Sequence, residues 1–228
     1  MNNPTIIIEC VGLPGSGKTT YCSYFSELLK QKKFSVIMWN DLKTYVHELN
    51  FFKKIYLLVK TLFFSGYSLF LYSIILACHK IYSIDSIYRY LRLLIFNTAL
   101  TEYLKKRKVD IVLLDQWIIQ EMWSATIFRL KSYKIWKYLK NFYFKIDFVF
   151  YFDIDILTAS KRISLRNTNF SRFDNMDSQK RPNELSKYNS YLYQLYETSD
   201  CKNKFILSSK QSPFNNAEIF FQHLDLSF

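Results

Sequence analysis

From Gly12 the chain reads Gly12-Leu13-Pro14-Gly15-Ser16-Gly17-Lys18-Thr19-Thr20, directly after the apolar run Ile6-Ile7-Ile8-Glu9-Cys10-Val11. This is G-x-x-x-x-G-K-T in the order a phosphate-binding loop needs: buried strand, glycine turn, helix start. Glycines let backbone N–H groups turn toward phosphate oxygens. The helix that begins near Lys18 adds its positive end. Gly12 through Thr20 are therefore the expected nucleotide-binding residues. Lys18 supplies a point charge for β- and γ-phosphates, and the Thr19 hydroxyl is suited to Mg²⁺. Three of the chain's four glycines fall between positions 12 and 17, more than an ordinary tight turn requires.

Further candidates lie at strand ends. Ile111-Val112-Leu113-Leu114 is a compact apolar strand ending in Asp115. A carboxylate at that tip, beside a phosphate loop, can hold Mg²⁺ directly or through water. Asp41 follows a short strand over Ser35–Trp39. The carboxyl ends of parallel strands face the ligand crevice, so Asp41 is a candidate substrate contact; the alternative is a cap for the next helix. Arg162 and Arg166 share one helix face at i, i+4. Arg172-Phe173-Asp174 sits in a polar, irregular stretch over 168–181. The cysteines (Cys10, Cys22, Cys78, Cys201) and histidines (His47, His79, His223) are scattered. Neither zinc-site spacing nor a disulfide framework is expected, and thiols in a reducing cytoplasm fit best.

These groups need elements to position them. Strands are expected over 5–11, 35–39, 111–114, 148–152 and 204–207, with helices between them. Helix 19–31 shows the stripe Tyr21, Tyr24, Phe25, Leu28 and Leu29, and a long helix is expected over 85–107. Pro182 can open a helix through about Ser199, and Asn216–Leu224 closes the chain. Such alternation implies an α/β fold, a parallel five-stranded sheet covered by helices on both faces. The whole of 1–228 reads as one domain.

The 45–82 segment stands apart. Thr61 to Cys78 carries no charge, a length at the lower edge of a membrane span. Gly66 and several serines dilute it, and two buried helices broken near Ser65-Gly66 account for it without lipid. Lys131, Lys134, Lys137 and Lys140 recur every three residues, the mark of a helix with a basic, solvated face. The formal charge of +12 suits phosphate-rich substrates or an anionic surface, though abundant Lys, Ile, Phe, Tyr and Asn point to compositional bias. No nucleic-acid-binding signature accompanies it, so no nucleic acid polymer is expected as a partner. A signal peptide is not evident, and a cytoplasmic location, peripheral membrane contact left open, is the expectation.

On these motifs the chain resembles the thymidylate kinase-like P-loop nucleoside and nucleotide kinases. Glu9 before the loop, Asp115 at a strand tip, Asp153 after a late strand, Ala159-x-x-Arg162-x-x-x-Arg166 and Arg172-Phe173-Asp174 match that family's order over most of the chain. The resemblance implies a three-layer P-loop NTPase fold with a lid over 167–182. It also implies transfer of the γ-phosphoryl of ATP to a small acceptor. Thr19 and Asp115 would hold Mg²⁺, with Lys18, Arg162, Arg166 and Arg172 around the transferring group. Two features depart from the family. Gln116 stands where an arginine usually follows the strand-tip acid, and Trp39-Asn40-Asp41-Leu42 replaces an Arg-containing stretch. The acceptor is therefore expected to be a compound other than thymidylate, with Asp41 orienting its hydroxyl and the apolar 45–82 segment as the acceptor-side wall. A hydrolysing ATPase coupled to a partner, a membrane-associated kinase of a lipid-linked acceptor and a homodimer stay open as alternatives.

Overall fold

The computed structural model describes residues 4–78, 84–126, 146–166, 171 and 173–224. The chain runs β1 (Ile6–Gly12), α1 (Lys18–Gln31), β2 (Val36–Met38), α2 (Trp39–Glu48), α3 (Phe51–Cys78) and α4 (Ile84–Lys106). It continues through β3 (Ile111–Leu114), α5 (Ile118–Thr126), β4 (Phe148–Asp153), α6 (Ile156–Ser164), α7 (Arg181–Thr198), β5 (Asn203–Ser208) and α8 (Pro213–Leu224). The expected basic helix over 131–142 falls outside the described residues, as does part of the 167–182 stretch, Arg172 included.

The five strands form one sheet in the order β2-β3-β1-β4-β5, and each neighbouring pair is parallel. β1 is central, with Ile8 opposite both Leu113 of β3 and Phe148 of β4. Side chains alternate between the two faces, as the period of two requires. Ile8, Cys10, Leu113, Phe150 and Phe152 pack with Tyr21, Phe25 and Phe220 of α1 and α8. Val11, Val112, Leu114, Val149 and Tyr151 face the opposite core, with α4, α5 and α7. Both faces are covered, which is why the strands read as near-continuous apolar runs. After β3 returns beside β1, the chain crosses to β4 on the other side, opening a crevice at the carboxyl ends of the central strands.

Three expectations are corrected. The helix expected to carry both Arg162 and Arg166 ends at Ser164, so Arg166 lies beyond α6. Trp39, expected in a strand, opens α2. Residues 51–78 form one continuous helix, with no break at Gly66. Leu57, Thr61, Ser65 and Tyr72 are buried along one side of α3. Thr61 Oγ1 donates to Thr98 Oγ1 of α4 at 2.9 Å, Lys60 pairs with Glu102, and the Tyr72 ring lies tilted against Tyr90 at 4.3 Å. These contacts outweigh the roughly 1 kcal/mol cost of one helical glycine. The opposite side of α3 exposes Phe52, Tyr56, Val59, Phe63, Tyr67 and Phe70. Among the described residues, no helix is long and apolar enough to cross a membrane.

Phe25 is fully buried and stacked on Phe220 at 4.4 Å, joining α1 to α8. Phe25→Ala should lower unfolding stability by about 3–5 kcal/mol, measured by urea denaturation.

Candidate active site

The loop between β1 and α1 takes its shape from two left-handed glycines, Gly15 (φ 87°) and Gly17 (φ 86°). Gly15 is also pressed against α6: a Cβ there would lie 2.7 Å from the Ala159 carbonyl oxygen. Lys18 folds back over the loop, its Nζ donating to the Gly12 carbonyl at 3.0 Å. Burial pushes its pKa down to about 8, against the opposing charge of Asp115, while Arg166 lowers it further. The Thr19 hydroxyl donates to Asp115 Oδ2 at 2.6 Å. This adjacency fits a hard divalent cation, since hydroxyl and carboxylate oxygens are the ligands Mg²⁺ takes in such loops.

A cavity of about 560 Å³ extends from this loop across the carboxyl ends of the strands. That is the size of a small-molecule site. Gly15, Gly17, Lys18, Thr19 and Thr20 line one end, with Asp115 and Arg166. The far end is walled by Trp39, Trp123 and Phe173, and by Arg89, Arg92, Gln116, Gln120 and Glu121. Phe173 is buried and stacks on Trp123 at 6.1 Å, which completes the aromatic side. Buried Arg181 anchors the stretch that carries Phe173 to α6, donating to the Met176 carbonyl at 2.6 Å and the Ser160 carbonyl at 3.4 Å.

The expected site residues separate into groups. The loop, Lys18, Thr19, Asp115 and Arg166 come together around the cavity. Arg162 lies behind the loop and donates to the Gly15 carbonyl at 3.3 Å. Asp41 does not line the cavity: it is exposed, and its Oδ2 accepts the Met38 N–H at 2.8 Å, capping α2. The described part of 45–82 does not line it either. α4 packs between α3 and the rest of the domain and presents Arg89 and Arg92 to the cleft.

Sequence reading missed the most connected acid of the site, Glu121. It is buried on α5 and paired with Arg92, with Arg89 at 3.6 Å. Lys43 of α2 also reaches the cavity, its ammonium 5.4 Å from the Trp39 ring centre. Burial lowers its pKa, against the charge of Asp115. Gln116 accepts the Trp39 indole N–H at 3.1 Å, so it orients an aromatic wall. An acid three residues into a helix that follows a strand-tip carboxylate was the only local signal for Glu121.

Glu9 stands behind these groups. Its Oε1 accepts the Gln120 backbone N–H at 3.0 Å, and the Gln120 side-chain oxygen accepts the Gly12 N–H at 3.2 Å. One chain of hydrogen bonds thus joins the start of α5 to the phosphate loop. Burial raises the Glu9 pKa to about 8, despite hydrogen bonds from the Gln120 and Ile119 backbones that favour its charge. At neutral pH Glu9 is mainly the neutral acid.

No family model matches the sequence, and no curated protein matches it. Solved structures do. A deoxyadenosine kinase from M. mycoides, with products dCMP and a flexible dCDP bound, superposes with TM-score 0.52 at 16% identity over 96% of this chain and 99% of that one. The same organism's deoxyadenosine kinase with bound dATP gives TM-score 0.48 at 17% identity, over 96% of this chain and 100% of that one. The protein therefore has the α/β architecture of a P-loop kinase: a five-stranded parallel sheet flanked by helices, with the phosphate loop after the central strand.

The Glu9 pKa predicts a pH effect with a fixed sign. Its folded value, about 8, lies above the ordinary carboxyl value of 4.5. Its contribution is thus full below about pH 4.5 and is lost as pH rises through 8. Relative to wild type, Glu9→Gln should gain stability between pH 5 and 8.5, by about 1.4 kcal/mol for each pKa unit of the shift. Parallel urea titrations at several pH values measure this. Glu9→Ala should instead be destabilised throughout.

Proposed function

We propose that the protein is an ATP-dependent kinase whose acceptor belongs to the nucleoside class. One observation carries this reading: a single cavity joins a phosphate loop to a wall that suits a flat, polar ring. The Trp39, Trp123 and Phe173 faces offer stacking surfaces. Gln120 and the Arg92–Glu121 pair offer hydrogen bonds to the edge of a heterocycle. The fold neighbour that carries dCMP and dCDP as products supports a nucleoside-class acceptor.

In this reading the loop N–H groups and Lys18 hold the β- and γ-phosphates. Thr19 and Asp115 would hold Mg²⁺, which when bound offsets phosphate charge. Arg166, just past the end of α6, would face the γ-phosphoryl, Arg162 supports the loop through the Gly15 carbonyl, and Arg172 is the remaining cation assigned to the transferring group. Phosphoryl transfer of this kind asks mainly for positioning and charge stabilisation. It therefore asks little of Asp41 as a base. Lid closure excludes water, so the acceptor hydroxyl rather than water takes the phosphoryl group. Lys43 adds a cation to the cavity that Gln116 also lines.

Lys18→Ala should abolish phosphoryl transfer and weaken Mg·ATP binding while leaving the thermal transition near wild type; calorimetry and a coupled ADP-release assay measure both. Arg166→Ala should lower kcat by roughly 10²-fold with a smaller effect on ATP affinity, whereas Asp41→Asn should leave kcat nearly unchanged. An acceptor screen of nucleosides, nucleoside monophosphates, sugars and lipid alcohols should give efficient ADP release with a nucleoside. In Glu121→Gln, KM for that acceptor should rise more than KM for ATP. ADP release that needs no acceptor would return the protein to the hydrolysing class.

A further inference from the structure

Arg181 is a cation where the fold resists one. It is 5% exposed and stands in the first turn of α7, the end of a helix that favours anions. Among the described residues no Asp or Glu pairs with it, and it does not line the cavity. Taking a charge out of water is costly even after the surroundings relax. The guanidinium is held instead by neutral oxygens: the Met176 carbonyl at 2.6 Å, the Ser160 carbonyl at 3.4 Å and the Ser164 hydroxyl. Hydrogen bonds from a charged donor are the stronger kind, and Ser160 and Ser164 lie in the last turn of α6, the negative end of that helix. The Nε–H still has no partner. An apolar side chain would fill this place without that burden. What the guanidinium adds is a rigid fork that binds two segments at once.

Those two segments lead to opposite ends of the cavity. On one side, Arg166 lies just past α6, its N–H donating to the Ile163 carbonyl at 3.1 Å. On the other, Met176 closes a compact turn. The Ser171 N–H donates to Asp174 Oδ2 at 2.8 Å, the Phe173 N–H to Ser171 Oγ at 3.0 Å, and the Met176 N–H to the Phe173 carbonyl at 3.3 Å. From this turn the Phe173 ring stacks on Trp123 and meets the Tyr188 ring edge-on at 6.0 Å. Arg166 lines the cavity at the loop end and Phe173 at the far end.

We infer that Arg181 is a positioning residue that joins the two ends of the cavity, holding the end of α6 that leads to Arg166 and the turn that carries Phe173 as one unit. The inference rests on the proposed function for the ligand at each end. Its consequence is a coupling between them. A nucleotide held by Arg166 orders the end of α6, and the fork passes that order to the Phe173 turn. The acceptor then meets a wall already set, and each ligand tightens the binding of the other by the same factor.

Hydrogen exchange of the full chain, with and without the non-transferable nucleotide Mg·AMP-PNP, tests this. In wild type the nucleotide should slow exchange over 12–20 and also over 171–178, the latter by roughly fivefold or more, the lower end of ordinary coupling between sites. In Arg181→Met the slowing over 12–20 should persist and that over 171–178 should vanish. Arg181→Lys keeps the charge but not the fork, and should behave like Arg181→Met. Ser164 is exposed, so Ser164→Ala removes one acceptor of the fork without endangering the fold; it should weaken the response over 171–178 and serves where Arg181→Met does not fold. In turnover, Arg181→Met should raise the acceptor KM about tenfold and lower kcat, with the Kd of Mg·AMP-PNP changed by no more than about twofold. A response over 171–178 that survives Arg181→Met and Ser164→Ala overturns the inference, and so does a wild type that responds over 12–20 alone. A wild type with no slowing over 12–20 would overturn the proposed function along with it, so the two failures are told apart.

Discussion

The phosphate loop is pressed against the helix that follows β4, and most of the site depends on that contact. Gly15 approaches Ala159 so closely that a side chain would collide with backbone. The approach is possible only because Gly15 and Gly17 accept left-handed geometry without the usual cost of a Cβ. It places Arg162 against the loop carbonyl and Arg166 beside Lys18. Lys18 and Arg166, which lies just past the end of α6, then share the cavity with Asp115. Such a cluster repels itself in the free protein, and the low pKa of Lys18 records part of that cost. Under the proposed function, a polyanionic ligand relieves it.

A second chain of contacts ties the acceptor side to the loop. Glu9 lies on the central strand but points into the core that holds α5, and it accepts hydrogen bonds from that helix's first turn. Gln120 passes the connection to Gly12. α5 also carries Glu121 and Trp123, so the aromatic side of the cavity and the glycine loop are fixed to the same strand. A buried acid is costly when ionised; its neutrality and its hydrogen bonds make it tolerable here. α4 completes the frame by bringing Arg89 and Arg92 to Glu121.

Much of the frame was legible because it is local. The strand–loop–helix order around Lys18 specifies its own geometry, and Val11, Gly12 and Phe152 leave little room for another. The alternation of Ile8, Cys10, Phe150 and Phe152 with Val11, Val149 and Tyr151 is written in the sequence as two-sided burial. Asp115 could be placed because a compact apolar strand ends at it. Glycine misled at position 66: in sequence it marks a break, but contacts to α4 on the opposite side of the helix hold the residue helical.

By itself the sequence determined the α/β sheet and the strand–loop–helix around Lys18, because each rests on residues adjacent in the chain or on a period of two; it put Asp115 at a strand tip, but the meeting of Asp115 with Thr19 across 96 residues is tertiary. Tertiary structure alone decided the rest of the cleft. Asp41 turned to its own helix cap, since the nearest unsatisfied N–H was three residues away at Met38. Glu121, Arg92 and Lys43 met across three helices far apart in sequence, and no local pattern encodes which faces of those helices converge. The same holds for α3: the apolar run is visible in the sequence. That one side of the helix is buried on α4 and the other is left outside depends on how the two helices pack.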